Sequence, residues 1–177
     1  MIVPGEAEKK KVMFYATQAR EPFPYYQHEK IGYNYRLSNI CAGIGRGQMT
    51  ILEEHLSHHR HVHDFYCEKF KDMPGIKLHS NPNADFDSNY WLCNITIDKD
   101  VTGFDCEQLR IALDKAGIES RPLWKPMHMQ PVFANCPSYC DGTAQTLFEK
   151  GLCLPAGPWV RDEELEYICQ IIREQYK

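Results

Sequence analysis

The sequence predicts an α+β fold in which a small, mostly antiparallel sheet is covered by helices. Three patterns carry that expectation. From Tyr90 to Asp98, Trp91, Cys93, Ile95 and Ile97 alternate with Leu92, Asn94 and Thr96, the period-two mark of a half-buried strand. Asp105 and Gln108 make a capping-box pattern that opens a helix stopping at Gly117. From Asp162 to Tyr176, the residues Leu165, Ile168, Cys169, Ile172 and Tyr176 fall on one side of an amphipathic helix. Strand and helix periods interleaved over short connections belong to a layered α+β domain.

The remaining elements follow in order. Met1 to Val3 are apolar and β-compatible, and Pro4 and Gly5 punctuate before Glu6 to Arg20, where Ala7, Val12, Phe14, Tyr15 and Ala19 predict a helix. A lone three-residue strand needs neighbours, so the expectation is that an upstream part is missing. Pro22, Phe23, Pro24, Tyr25 and Tyr26 form an irregular segment, and Ser38 then supplies an N-cap with Leu37 in staple position. From Asn39 to Lys71 apolar residues recur near helical spacing, and an unbroken helix of that length would run roughly 50 Å and link domains or subunits. Met73-Pro74-Gly75 ends it. Ile76 to His79 reads as a short strand, Ser80 to Ser88 as a polar loop, and Ile118 to Arg121 as extended chain. Pro122, Pro126, Pro131 and Pro137 punctuate a long loop. A helix over residues 142–150, closed by Gly151, and a strand over Leu152 to Leu154, halted by Pro155, complete the series.

Composition narrows the function. The chain has 177 residues, 43% apolar and 25% charged, and its 20 Lys+Arg against 24 Asp+Glu give a net charge of −4, without the basic footprint that neutralises a phosphate backbone. Nucleic acid is therefore not expected as a partner. Apolar runs are only a few residues long, far short of the ~20 a membrane span needs. The N-terminal residues lack the zones of a secretory signal, so the expected location is the cytoplasm. The eight cysteines are scattered rather than evenly spaced, and read as reduced.

Four clusters bear on chemistry. Gly32-Tyr33-Asn34-Tyr35-Arg36-Leu37-Ser38-Asn39 gathers amides, a guanidinium and two phenols before a helix N-terminus. Two readings fit it: an anion site built from helix amides with Asn34 and Arg36, or a turn that Asn34 and Ser38 shape and cap. Gly43-Ile44-Gly45-Arg46-Gly47 falls inside a helical pattern and does not join a strand to a helix, which excludes a phosphate loop. His55, His59 and His63 recur at helical spacing, but the pattern fits a polar stripe better than a metal site, and Cys136 with Cys140 has no second ligand pair at zinc spacing. No metal is expected. In Arg121-Pro122-Leu123-Trp124-Lys125-Pro126-Met127-His128-Met129-Gln130-Pro131, prolines hold the chain extended. Two cations, a flat indole and an imidazole there suit a ligand bearing phosphate or sugar groups, unless Trp124 only plugs a domain interface.

Gly32 to Ser38 and the helix after it, the Arg-Pro-x-Trp-Lys-Pro-x-His loop at 121–128, and Leu154-Pro155-x-Gly157-Pro158 before the last helix resemble the C-terminal half of the DegT/DnrJ/EryC1/StrS sugar aminotransferases. The stretch Tyr15-Ala16-Thr17-Gln18-Ala19-Arg20 is similar to the UDP-4-amino sugar transaminases of bacillosamine synthesis. The resemblance implies the aspartate-aminotransferase fold with pyridoxal phosphate as cofactor, working as a homodimer whose sites draw on both subunits. On it, residues 1–28 are a remnant of the cofactor-binding large domain and residues 29–177 the C-terminal small domain with its long linking helix.

The resemblance also assigns roles: Asn34, with Arg36 beside it, to the cofactor phosphate, and His128, Trp124, Lys125 and Tyr33 to a nucleotide-sugar substrate. The implied reaction moves an amino group from glutamate to the 4-keto carbon of a UDP-linked deoxysugar. In such enzymes a lysine anchors the cofactor and shuttles the proton, and the resemblance places it about ten residues before Met1. Lys9, Lys10 and Lys11 sit on the predicted helix and do not match it. The expectation is a fragment inactive by itself. The alternatives are a non-catalytic oligomerisation or ligand-binding protein and part of a cofactor-dependent sugar dehydratase.

Overall fold

A computed structural model of the protein describes residues 2–23 and 27–176, the side chain of Val132 excepted. Met1, Pro24, Tyr25 and Tyr26, which the sequence reading included in a strand and an irregular segment, lie outside the described residues. The chain divides into two compact units, Met1–Ile51 and Leu52–Lys177.

In the first unit α1 spans Glu6–Ala16 and α2 spans Asn39–Met49. Ile2 and Val3 form no strand, in contrast to the sequence reading. A stretch that short gains no ladder without a neighbouring strand. Helix α1 stops at Ala16 rather than Arg20 because Gln18 and Ala19 take left-handed backbone, at φ 70° and 50°. The Ala19 N–H donates back to the Phe14 carbonyl at 2.8 Å and the Thr17 hydroxyl to the Met13 carbonyl at 2.6 Å, which satisfies carbonyls that the helix end would leave open.

The single helix expected from Asn39 to Lys71 is two helices. Met49 ends α2, and α3 starts again at Leu52 and runs to Phe70, about 28 Å at the helical rise. Between them the amides of Thr50 and Ile51 bond the carbonyls of Gly47 and Gln48, both at 3.2 Å, three residues back instead of four. The Thr50 hydroxyl donates to the same Gly47 carbonyl at 2.7 Å. Gly43, Gly45 and Gly47 each cost α2 up to ~1 kcal/mol of helix propensity, and two β-branched residues follow, so the apolar spacing continues where the backbone has least reason to.

The second unit is built on four strands: β1 Ile76–Leu78, β2 Cys93–Ile97, β3 Arg121–Pro122 and β4 Gly151–Leu154. Their order is β1-β2-β4-β3 with every pair antiparallel, and Ile95 lies opposite Leu152 and Cys93 opposite Leu154. The predicted alternation holds: Cys93, Ile95 and Ile97 are buried, while Asn94 and Thr96 are only half so. Trp91 falls outside the strand and is exposed.

A short helix α4, Lys99–Thr102, which the sequence reading did not include, leads to α5, Cys106–Lys115. The capping box forms as expected. Asp105 accepts from the Gln108 amide and Gln108 from the Asp105 amide, each at 2.9 Å. The Lys99 ammonium 2.8 Å from Asp105, followed by that amide bond, holds the Asp105 carboxyl below its ordinary range. Gly117 then takes φ 76° and ends the helix region. Helix α6 spans Thr143–Lys150 and runs directly into β4, and α7 spans Asp162–Arg173.

One continuous core joins the buried face of β2 and β4 to Val62, Tyr66 and Phe70 of α3, Leu109 and Leu113 of α5, and Leu165, Ile168, Cys169 and Ile172 of α7. Each fully buried aliphatic side chain contributes about 1.5–3 kcal/mol. Tyr66 is fully buried, and its hydroxyl donates to the Pro155 carbonyl at 3.0 Å, tying α3 to the segment after β4. Burial pushes its phenol well above the ordinary tyrosine value.

Candidate functional site

In the first unit the tyrosine-rich turn is held by main chain. The Tyr33 N–H donates to the Tyr15 carbonyl at 2.8 Å, the Gln18 N–H to the Tyr33 carbonyl at 3.0 Å, and the Tyr35 N–H to the Ala16 carbonyl at 3.0 Å, while Asn34 bridges Thr17. The turn is therefore docked on the end of α1. Tyr33 and Tyr35, two apart on extended chain, project to one side and stack at 5.0 Å between ring centroids, with 11° between the planes. Both remain exposed.

Of the two readings of this cluster, the capping role of Ser38 is present. Ser38 caps α2 by accepting from the Cys41 amide at 3.1 Å, and the Asn39 side chain accepts from the Ile40 amide at 3.1 Å. These helix amides are thus already used, which removes them from the predicted anion site. The side chains of Asn34 and Arg36 are exposed and meet no hydrogen-bond or ion-pair partner among the described residues. An amide and a guanidinium left free on a docked turn are the donor set a phosphate ester takes, so the residues present fit the phosphate of the cofactor the resemblance implies.

In the second unit the proline-bounded loop coils into two short 3-10 turns, Met127–Met129 and Pro131–Phe133. Trp124 lies on the wall of an open groove of about 1110 Å³, with Trp91, Trp159, Tyr167 and Arg121. The Arg121 Nε donates to Glu119 at 2.8 Å, which neutralises one of the two cations expected for a ligand. Ser120, also on the groove wall, has a buried hydroxyl without a partner among the described residues. Lys125 is exposed, and its ammonium has no partner among the described residues. His128 does not share the groove with Trp124. It lines a smaller recess of about 830 Å³ with residues 138–142 and Ala144, and its Nδ1 lies 3.3 Å from the Cys140 Sγ.

Sequence reasoning missed Trp91, Trp159 and Cys140 as neighbours of this loop. Trp159 stands directly after the Leu-Pro-x-Gly-Pro motif, and that adjacency was the available signal.

The histidines of α3 do not make one solvated stripe. His63 is buried, stacked on Tyr90 at 3.7 Å, and bonded through Nε2 to the Ser80 hydroxyl at 3.0 Å. His55 meets the edge of Trp159 at 5.5 Å, and His61 Nε2 pairs with Asp162 at 2.7 Å. Among the described residues no three His, Cys, Asp or Glu side chains converge as metal ligands. No helix among them is long and apolar enough to cross a membrane.

Residues 2–173 match the model of the DegT/DnrJ/EryC1/StrS aminotransferase family. EpsN of Bacillus subtilis strain 168, named as a pyridoxal phosphate-dependent aminotransferase, is 36% identical over 171 residues, which are 94% of this chain and 43% of EpsN. The GDP-perosamine synthase of Escherichia coli O157:H7 is 32% identical over 151 residues, 85% of this chain and 40% of the synthase. The solved aminotransferase TlmJ from Streptoalloteichus hindustanus shares the fold with a TM-score of 0.80 at 18% identity, over 94% of this chain and 44% of TlmJ. The chain thus spans less than half the length of these relatives.

Proposed function

Because the chain belongs to the DegT/DnrJ/EryC1/StrS aminotransferase family, we propose that it forms the phosphate- and sugar-contacting part of a pyridoxal phosphate-dependent transaminase acting on a nucleotide sugar. The reaction moves an amino group from glutamate to the 4-keto carbon of a UDP-linked deoxysugar in the cytoplasm. The observation that carries this reading is the match through residues 2–173, which holds the tyrosine-rich turn, the Trp-Lys-Pro-x-His loop and the Leu-Pro-x-Gly-Pro segment in one order. Residues 1–28 belong, on this reading, to the large domain and residues 29–177 to the small domain.

Bound pyridoxal phosphate supplies the electron sink through which an amino group passes between carbon skeletons. Asn34 donates its side-chain amide and Arg36 its guanidinium to the phosphate, a charge-assisted pairing that fixes position and orientation. Tyr33 would offer its phenol to the nucleotide sugar. Trp124 offers a flat face to the sugar nucleotide, Lys125 a cation to its diphosphate, and His128 a ring nitrogen to a hydroxyl of the sugar. The choice of UDP follows the resemblance of Tyr15 to Arg20.

None of α2 is buried, and Ile40 and Ile44, four residues apart on one face, are exposed. An apolar helix face of that kind supports a homodimer in which the turn before α2 reaches a site shared with the partner. The chain alone is inactive on this reading, since the anchoring amine belongs to the part of the relatives that it does not span.

The test combines the chain with pyridoxal phosphate, 15N-glutamate and a UDP- or GDP-linked 4-keto-6-deoxysugar, with and without the complementary part of a relative such as EpsN. The expected result is 15N-amino sugar and 2-oxoglutarate from the UDP substrate only when both parts are present. Transfer by the chain alone, or to the GDP-linked sugar only, contradicts the reading.

A further inference from the structure

The eight thiols of this chain sit in different surroundings. Cys93, Cys153 and Cys169 are buried, and burial pushes the Cys93 thiol up to about 12 and the Cys169 thiol up to about 11. Cys106 is half-buried, donates its S–H to the Glu149 carbonyl at 3.1 Å, and is likewise pushed up by burial. Cys67 lies 3.9 Å from both ring nitrogens of His63, but that imidazole is already engaged by Ser80 and Asp64. Three thiols are exposed: Cys41, Cys136 and Cys140. Among the described residues Cys140 alone of these three has a proton acceptor at hydrogen-bond distance, the His128 Nδ1 at 3.3 Å.

The pair is open to reagents. Cys140 and His128 both line the recess of about 830 Å³, together with Ser138, Tyr139, Asp141 and Gly142. The nearest carboxylate in sequence, Asp141, lines the same recess and accepts from the Thr143 amide at the start of α6 at 2.9 Å. Its negative charge is taken up by that helix end.

We propose that Cys140, with His128 as its proton acceptor, is a thiol–disulfide exchange site for small-molecule disulfides of the glutathione class. In the tautomer protonated at Nε2, the His128 Nδ1 accepts the proton of the Cys140 thiol. The thiolate attacks one sulfur of the incoming disulfide, its S–S bond breaks, and a new S–S bond joins that sulfur to Cys140. The other sulfur leaves as a thiolate and takes the proton from the His128 imidazolium. Cys140 is thereby oxidised and one half of the reagent reduced, with no further oxidant required. Cys140 lines the same open recess as His128. Where that adduct would interfere with substrate rests on the assignment of His128 to the sugar nucleotide; the exchange chemistry does not.

The test measures site-resolved rates of mixed-disulfide formation on the 177-residue chain with oxidised glutathione, by quenching at intervals and mapping peptides by mass. No nucleotide sugar is present, so the outcome is independent of the substrate assignment. Cys140 is expected to react about tenfold faster than Cys136 and Cys41, and His128→Gln to bring Cys140 down to their rate. An unchanged far-UV spectrum, and Cys136 and Cys41 reacting at the parent's rates, show that H128Q remains folded. The proposal is overturned if Cys136 or Cys41 reacts as fast as Cys140, or if folded H128Q keeps the parent rate.

Discussion

Gly32 is where the docking of the tyrosine-rich turn is most exposed to perturbation. A Cβ added there would stand 2.3 Å from both the Ala19 nitrogen and the Gln18 carbonyl carbon, and 2.7 Å from the Ala19 Cβ. None of these can retreat cheaply. Ala19 is fully buried, holds φ 50°, and is tied to the Phe14 carbonyl. Gly32→Ala must therefore displace the turn itself, and three main-chain hydrogen bonds go with it: Gln18 to Tyr33, Tyr33 to Tyr15 and Tyr35 to Ala16. At about 1 kcal/mol net each they amount to about 3 kcal/mol. Against this, alanine restricts the unfolded chain and returns about 0.4–1 kcal/mol. The balance is a loss of about 2 kcal/mol, or roughly a thirtyfold fall in protection of the Tyr33 and Tyr35 amides against hydrogen exchange followed by NMR. Gly43→Ala is the control, since nothing lies within 4 Å of its added Cβ and it stands within α2. It should raise helix protection by up to ~1 kcal/mol. Unchanged Tyr33 and Tyr35 protection in Gly32→Ala would refute the docking argument.

Other perturbations address the second unit and the cofactor. Tyr66→Phe removes the bond to the Pro155 carbonyl and should cost about 1–2 kcal/mol in urea unfolding; no change would mean that the hydroxyl bond adds nothing. Burial holds the imidazole of His59 below the ordinary value of 6.5, and burial followed by the Lys77 charge does the same at His79. The unfolded chain takes up these protons first as pH falls, so their stabilising effect is complete above pH 6.5 and declines as the pH passes below it towards the folded values. Unfolding midpoints should therefore drop from about pH 7 to about pH 5.5, with a shallower drop in His59→Gln/His79→Gln. Equal slopes in the two proteins would assign the decline to other groups. Finally, treatment with pyridoxal phosphate and borohydride should leave only scattered modification of surface lysines. One lysine modified to completion would show that these residues contain the anchoring amine after all.

What the sequence revealed and what it concealed have separate physical origins. The alternation around Ile95, the reciprocal cap of Asp105 and Gln108, and the apolar stripe of α7 depend on residues within one or two turns of each other, and each formed, the strand without Trp91 and the helix ending at Arg173 short of Tyr176. The break at Thr50 and Ile51 stayed hidden because apolar spacing persists across it, while the cause is backbone propensity diluted by Gly43, Gly45 and Gly47. The left-handed turn at Gln18 and Ala19 carries no glycine to announce it, and depends on the close approach of Gly32 farther along the chain. Trp91, Trp124 and Trp159 meet on one groove because β2, β3 and β4 are neighbours in the sheet, a tertiary fact that no local pattern encodes. The division between Trp124 and His128, four positions apart yet facing different recesses, comes from the coil at Met127–Met129.

The central claim is that the 121–131 loop meets a nucleotide sugar. It is tested most directly by titrating the isotope-labelled chain with UDP-N-acetylglucosamine and following the indole N–H of each tryptophan and the ring signals of His128 by NMR. The account predicts saturable shifts of Trp124 and His128 with one common affinity, abolished together in Trp124→Ala. Shifts confined to Trp91 and Trp159, or no shift of either loop residue at millimolar ligand, would contradict it.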